Sequence, residues 1–89
     1  MNLDKVWENE KSLVPAIIQD ANNKNILMLG YMNKESYLKT LKRKKVTFFS
    51  RSRQCLWTKG ETSGNFLNYI SSEIDCDNYT LLIQATNKG

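Results

Sequence analysis

Asn33-Lys34-Glu35-Ser36-Tyr37-Leu38-Lys39-Thr40-Leu41-Lys42-Arg43-Lys44-Lys45, running straight into Val46-Thr47-Phe48-Phe49-Ser50, is the stretch whose pattern separates helix from strand. Its first part predicts a helix. Asn33 can cap the N-terminus, Glu35 lies in the first turn, and the cations from Lys42 to Lys45 crowd the end where they complement the dipole. Tyr37, Leu38 and Leu41 supply a narrow apolar stripe, enough to lie on a sheet. The second part is β-branched and aromatic, hence a strand. Upstream, Leu13 to Gln19 alternates, with Val14, Ala16 and Ile18 on one face. Pro15 has no N–H, which puts that strand at a sheet edge or the proline at the strand's start. Asp20-Ala21-Asn22-Asn23-Lys24-Asn25 is a turn cluster, and Ile26 to Tyr31 completes a hairpin. Downstream, Phe66 to Ile74 and Thr80 to Thr86 are strands joined by the Asp-rich turn from Asp75 to Asn78. Gln54 to Asn65 contains Gly60 and Gly64 and reads mostly as an ordered loop. One helix against about five strands makes a small β-rich α+β domain.

Composition sets the frame. The 89 residues form a single domain, 1–89, with 40% hydrophobic and 25% charged residues, which excludes wholesale disorder. A domain this short buries only about 60% of the surface its unfolded chain exposes, so partners commonly supply further burial. The net charge of +4 suits an anionic partner, although much of the excess sits in Lys39, Lys42, Arg43, Lys44 and Lys45, which also reads as a solvated helix end. The sequence has no histidine, so catalysis within it needs carboxylates, thiolates or bound water. Cys55 and Cys76 stand apart and form no CxxC pair. No segment has the apolar length of a signal peptide or a membrane span, so a cytoplasmic home with reduced thiols is expected.

Three segments carry chemistry. Ser50-Arg51-Ser52-Arg53 follows a strand, and its guanidiniums and hydroxyls can grip a phosphate; arginines at a strand end can equally be solvated or salt-bridged. In Lys59-Gly60-Glu61-Thr62-Ser63-Gly64-Asn65, glycines let backbone N–H groups approach an anion, and Lys59, Thr62 and Ser63 add a charge and hydroxyl donors. The Walker order of residues is absent, and the alternative is a hairpin loop that needs glycine for its turn. Trp57 just before it either stacks on a base or fills the core. In Asp75-Cys76-Asp77, an extended backbone would point both carboxylates one way, as hard ligands for Mg²⁺, and the thiolate the other way, as a soft ligand for Zn²⁺. Asp-x-Asp is also common in plain turns.

In order and spacing, Ser-Arg-Ser-Arg, Leu-Trp-x-Lys-Gly-x-x-Ser-Gly-Asn and Asp-Cys-Asp, with Val14 to Asp20 and Leu27 to Asn33 upstream, resemble the phosphoribosyl-AMP cyclohydrolase family from Leu13 to Gly89. The resemblance implies hydrolysis of the N1–C6 bond of the adenine ring of phosphoribosyl-AMP, in L-histidine biosynthesis. It implies a homodimer using Zn²⁺ and Mg²⁺, with the zinc site shared between subunits. A zinc-bound water with a pKa near 7 suits attack at a ring carbon made electron-poor by the ribosyl group on N1. Cys76 matches a zinc ligand, and Asp75 and Asp77 match magnesium ligands. Arg51, Arg53, Trp57, Lys59, Thr62, Ser63 and Gly64 fall where the substrate site is expected. No catalytic residue is carried over.

The sequence also departs from that pattern. Tyr79 stands where the family has a third Asp, and the family's Gly-Pro-x-Cys-His segment with its further Cys would begin where Gly89 ends the chain. Cys76 alone cannot complete a zinc site with three protein ligands, so the 89 residues alone are expected to turn over little or nothing. Cys55 lies in a variable gap and reads as a structural or surface thiol. Two explanations stand: a piece of a longer enzyme, which in many bacteria is fused to a phosphoribosyl-ATP pyrophosphohydrolase domain, or a degenerate, non-catalytic nucleotide-binding or dimerisation module. A nucleic-acid-binding module is disfavoured, because Asp75 and Asp77 would repel phosphates.

Overall fold

The computed structural model describes residues 3–7, 9, 12–77 and 79–87. In chain order its elements are α1 (Leu3–Val6), β1 (Val14–Asp20), β2 (Ile26–Met32), α2 (Lys34–Arg43), β3 (Thr47–Ser50), β4 (Cys55–Thr58), β5 (Leu67–Ile74) and β6 (Leu81–Asn87). They build the expected α+β, strand-rich domain. Four strands form one sheet in the order β2-β1-β6-β5, and β3 and β4 form a separate two-stranded hairpin.

Within the large sheet β1 pairs antiparallel with β2 and parallel with β6, while β5 pairs antiparallel with β6. Strand β1 is therefore internal, not an edge. Pro15 is tolerated because it sits at the strand's start, before pairing with β6 begins at Ala16↔Leu81. The alternation of β1 holds: Val14, Ala16 and Ile18 are buried, and Leu81, Ile83 and Ala85 of β6 join them on the same side. Burying a side chain of the size of Ile18 or Leu81 is worth about 1.5–3 kcal/mol. Helix α2 and strand β3 pack against β2, and Tyr37, Val46 and Phe48 join this core with Val6, Trp7, Met32 and Leu67.

Helix α2 starts where the sequence predicts. The Asn33 side chain accepts from Ser36 N at 2.8 Å, and Ser36 Oγ accepts from Asn33 N at 3.0 Å, a reciprocal capping box. It ends at Lys44, in the left-handed region at φ 62°, whose N–H donates to Thr40 O at 2.9 Å. The buried face differs from the predicted stripe. Tyr37 is buried with Ser36 and Thr40, Leu41 is partly buried, but Leu38 is 43% exposed. Hydroxyls can face this core because each has a partner: Thr40 Oγ1 donates to Ser36 O and accepts from Thr47 N, both at 2.9 Å. Burial also pushes the Tyr37 phenol above its ordinary pKa, partly offset by its hydrogen bond with Ser72 at 2.6 Å.

The segment read as a loop from Gln54 to Asn65 holds a sixth strand. Cys55–Thr58 pairs with β3 in the register Thr47↔Thr58, Phe48↔Trp57, Phe49↔Leu56 and Ser50↔Cys55. Four residues are too short for alternation to register against the arginines and glycines flanking them.

Candidate functional site: a basic cleft beside the small hairpin

The hairpin of β3 and β4 and the loop after it wall a cleft of about 560 Å³. Arg53, Trp57, Lys59, Thr62 and Ser63 all line it, so five of the seven predicted substrate residues share one space. The other two do not. Arg51 lies over the Tyr31 ring, 4.6 Å from its centroid, in a cation–π contact. Gly64 follows the lining residues at φ 82° without joining them.

The loop keeps its shape through backbone bonds that leave the cationic side chains for the cleft. Lys59 N donates to Val46 O at 3.1 Å, and Gly64 N donates to Gly60 O at 2.7 Å. Gly60 is required: its φ is 96°, and a Cβ there would meet the Asn65 carbonyl and Phe66 N at 2.6 Å. Glu61 supplies the other clamp. Its Oε1 accepts from Thr58 N at 2.6 Å, while Glu61 N donates to Thr58 O at 3.1 Å. The sequence reading missed Glu61 and Thr58, although Thr58-x-x-Glu61 has the Ser/Thr-x-x-Glu spacing in which a carboxylate reaches back three residues to an N–H. Thr58 is buried, and its hydroxyl meets Thr47 Oγ1 at 2.9 Å, tying the loop to the core beneath it.

Trp57 forms the aromatic wall. It is half-buried, and its ring lies 5.0 Å from that of Phe48, tilted by 33°. The cleft thus combines a guanidinium, an ammonium, an indole, the hydroxyl residues Ser50, Thr58, Thr62 and Ser63, and one carboxylate, Glu61, which is engaged by Thr58 N; two cations against one anion suit a phosphorylated ligand carrying a flat ring.

The Asp75-Cys76-Asp77 segment lies elsewhere, at the turn between β5 and β6, and none of its residues lines the basic cleft. Cys76 and Asp77 sit in a turn, so strand alternation does not set which way they face; that expectation is corrected. The cause is Asp75, whose Oδ1 accepts from Tyr79 N at 2.7 Å and Thr80 N at 3.0 Å, bending the chain back toward β6. Asn78 of the predicted turn lies outside the described residues. Cys76 is an exposed free thiol, as is Cys55. Asp77 and Tyr79 line a second cleft, of about 630 Å³, with Lys5, Ser12 and Val14. Among the described residues no group of three or more His, Cys, Asp or Glu side chains is placed to hold a metal ion. The residues described therefore do not by themselves fit a zinc site with three protein ligands.

Comparison with known proteins bears on the same segments. The sequence pattern of phosphoribosyl-AMP cyclohydrolase matches residues 28–89, which include most of β2, α2, the basic cleft and the Asp75–Asp77 turn. The "Histidine biosynthesis bifunctional protein HisIE" of Bacteroides thetaiotaomicron is 58% identical over 89 residues, covering 100% of this chain and 43% of that protein. The protein of the same name from Escherichia coli K12 is 59% identical over 83 residues, 93% of this chain and 41% of its own length. That of Haemophilus influenzae is 57% identical over 84 residues, 93% of this chain and 38% of its own. This chain spans about two fifths of the length of the curated relatives it matches. With that pattern matched from within β2 to residue 89, the residues lining the cleft included, the chain belongs to the phosphoribosyl-AMP cyclohydrolase family.

Proposed function

We propose that this chain is the cyclohydrolase part of an enzyme of L-histidine biosynthesis, one that adds water across the N1–C6 bond of the adenine ring of phosphoribosyl-AMP and opens the ring. The observation that carries this reading is the convergence of Arg53, Trp57, Lys59, Thr62 and Ser63 on one cleft in a member of this family. The substrate bears two phosphate groups and a purine. Arg53 and Lys59 supply a cation for each phosphate, the Thr62 and Ser63 hydroxyls donate to phosphate oxygens, and Trp57 offers a face to the base.

Cys76 is proposed as one zinc ligand, with Asp75 and Asp77 serving magnesium. The remaining zinc ligands come from outside the described residues, from further protein or from a second copy in a homodimer. The relatives' length and the word bifunctional in their names support a fused second domain in the whole protein, proposed to be the phosphoribosyl-ATP pyrophosphohydrolase. Among the described residues no helix is long and apolar enough to cross a membrane, and a cytoplasmic location suits a biosynthetic enzyme with free thiols.

Ring opening changes the ultraviolet absorbance of the purine. Full-length protein given phosphoribosyl-AMP, zinc and magnesium is expected to change that absorbance with time. A spectrum that stays flat refutes the assignment.

A further inference from the structure

Gly30 lies in the interior of β2, opposite the buried Ala16 of β1. A glycine inside a strand weakens it, so its presence asks for a reason. Backbone conformation is not the reason, because the positive-φ glycines described are Gly60 and Gly64. Space is. A Cβ at position 30 would stand 2.5 Å from both Cδ1 and Cε1 of Phe48 and 3.1 Å from its Cγ. The Phe48 ring rests directly on the β2 backbone.

Phe48 in turn has nowhere free to go. It is fully buried, it faces Trp57 across the β3–β4 pair, and the two rings are in contact at 5.0 Å. Bringing a methyl at position 30 to an ordinary carbon–carbon separation of about 3.5 Å would push the ring by about 1 Å. A close-packed interior passes such a displacement on, and Trp57 is the neighbour that borders the cleft.

We propose that Gly30 is a positioning residue for the cleft: by letting Phe48 seat against β2, it sets where the Trp57 ring stands. Trp57 thereby takes its place from the large sheet, across a contact between the two sheets. This rests on the reading of Trp57 as a wall of the nucleotide site, but the position of the ring can be followed without any ligand.

The test uses the chain labelled with 5-fluorotryptophan, the Trp57 resonance assigned by Trp57→Phe, and AMP as the titrated probe. In Gly30→Ala the Trp57 fluorine resonance shifts by more than that of Trp7, and AMP affinity falls, by up to about 10²-fold for a displacement of about 1 Å. Phe48→Leu alone shifts the resonance directly, by removing the ring in contact with Trp57; adding Gly30→Ala to it is expected to move the resonance no further and to cost little more affinity, because the smaller side chain yields to the methyl. A folded Gly30→Ala chain with an unmoved Trp57 resonance overturns the proposal, as does a double variant shifted from Phe48→Leu as far as Gly30→Ala is shifted from the parent. If Gly30→Ala does not fold, the double variant decides: a folded chain whose resonance matches that of Phe48→Leu supports the steric seat, and one that does not fold or is shifted from Phe48→Leu sinks it. A parent chain that ignores AMP counts against the nucleotide reading of the cleft, while the resonance still judges the role of Gly30.

Discussion

Replacing Asp75 separates the two roles that a carboxylate at that position can have. Its Oδ1 accepts two backbone hydrogen bonds, from Tyr79 N at 2.7 Å and Thr80 N at 3.0 Å, at the point where β5 turns into β6. Hydrogen bonds to a charged group are worth about 1.5–3 kcal/mol each when buried. Asp75 is exposed, so both amides can turn to water once the acceptor is lost, and the pair is worth far less than that sum. We therefore expect Asp75→Ala to cost about 1–2 kcal/mol, and Asp75→Asn, which keeps an oxygen but not the charge, about half as much. For a domain of this size that lowers Tm by roughly 5–10 °C and 2–5 °C respectively. The assay is thermal unfolding followed by circular dichroism in EDTA, where no metal contributes. Cys76→Ser, tested alongside, is expected to stay within about 0.5 kcal/mol, as a surface change does. In the full-length protein the order is expected to reverse for metal content, the proposed zinc being lost in Cys76→Ser. If both Asp75 variants melt with the parent in EDTA, the turn does not depend on this carboxylate and the reasoning fails. Unchanged zinc in the Cys76 variant removes that ligand from the proposed site.

The remaining predictions are as direct. Arg53→Ala is expected to weaken AMP binding about tenfold or more, consistent with loss of one charge-assisted contact, while Arg51→Ala costs less because its guanidinium is on Tyr31; isothermal titration of both variants checks the order. Thr47→Val leaves the buried Thr58 hydroxyl without its hydrogen-bond partner and is expected to cost about 1–3 kcal/mol, yet adding Thr58→Val should cost little more, so urea unfolding that finds the two changes additive would contradict the pairing. The Tyr37 phenol is held above its unfolded pKa of about 10 by burial, so its contribution to stability is complete below that pH and is lost as pH rises through the folded value. Tyr37→Phe should accordingly flatten the loss of stability in alkaline solution, measured as Tm against pH.

Much of the architecture is legible in the residues because it is locally encoded. Asn33 announces the start of α2, the turn cluster from Asp20 to Asn25 announces a hairpin, and the cleft owes its legibility to a contiguous run from Trp57 to Ser63. What stays hidden depends on distant partners. Leu38 is apolar yet stays 43% exposed, whereas Thr40 is buried because Thr47 happens to satisfy it. Arg51 and Arg53 are two residues apart and read alike, yet only the fold brings Tyr31 beneath the first. Nor does any local pattern show that β1, for all its proline, will be flanked on both sides.

The parallel pairing of β1 with β6 has a consequence for how the protein is made. Ala16 meets Leu81, so 65 residues of synthesis separate the two halves of that ladder. At about 5–20 residues per second, the ribosome takes roughly 3–13 s to deliver the second half. For that interval the early hairpin of β1 and β2 carries one open, apolar side, with Ile17 and Ile18 in its middle. Such a side is an invitation to other nascent chains. The domain's yield in a cell is therefore expected to depend on the pace of translation as well as on the stability of the finished sheet, and slowing elongation between β2 and β6 should lower the soluble fraction even though the sequence is unchanged.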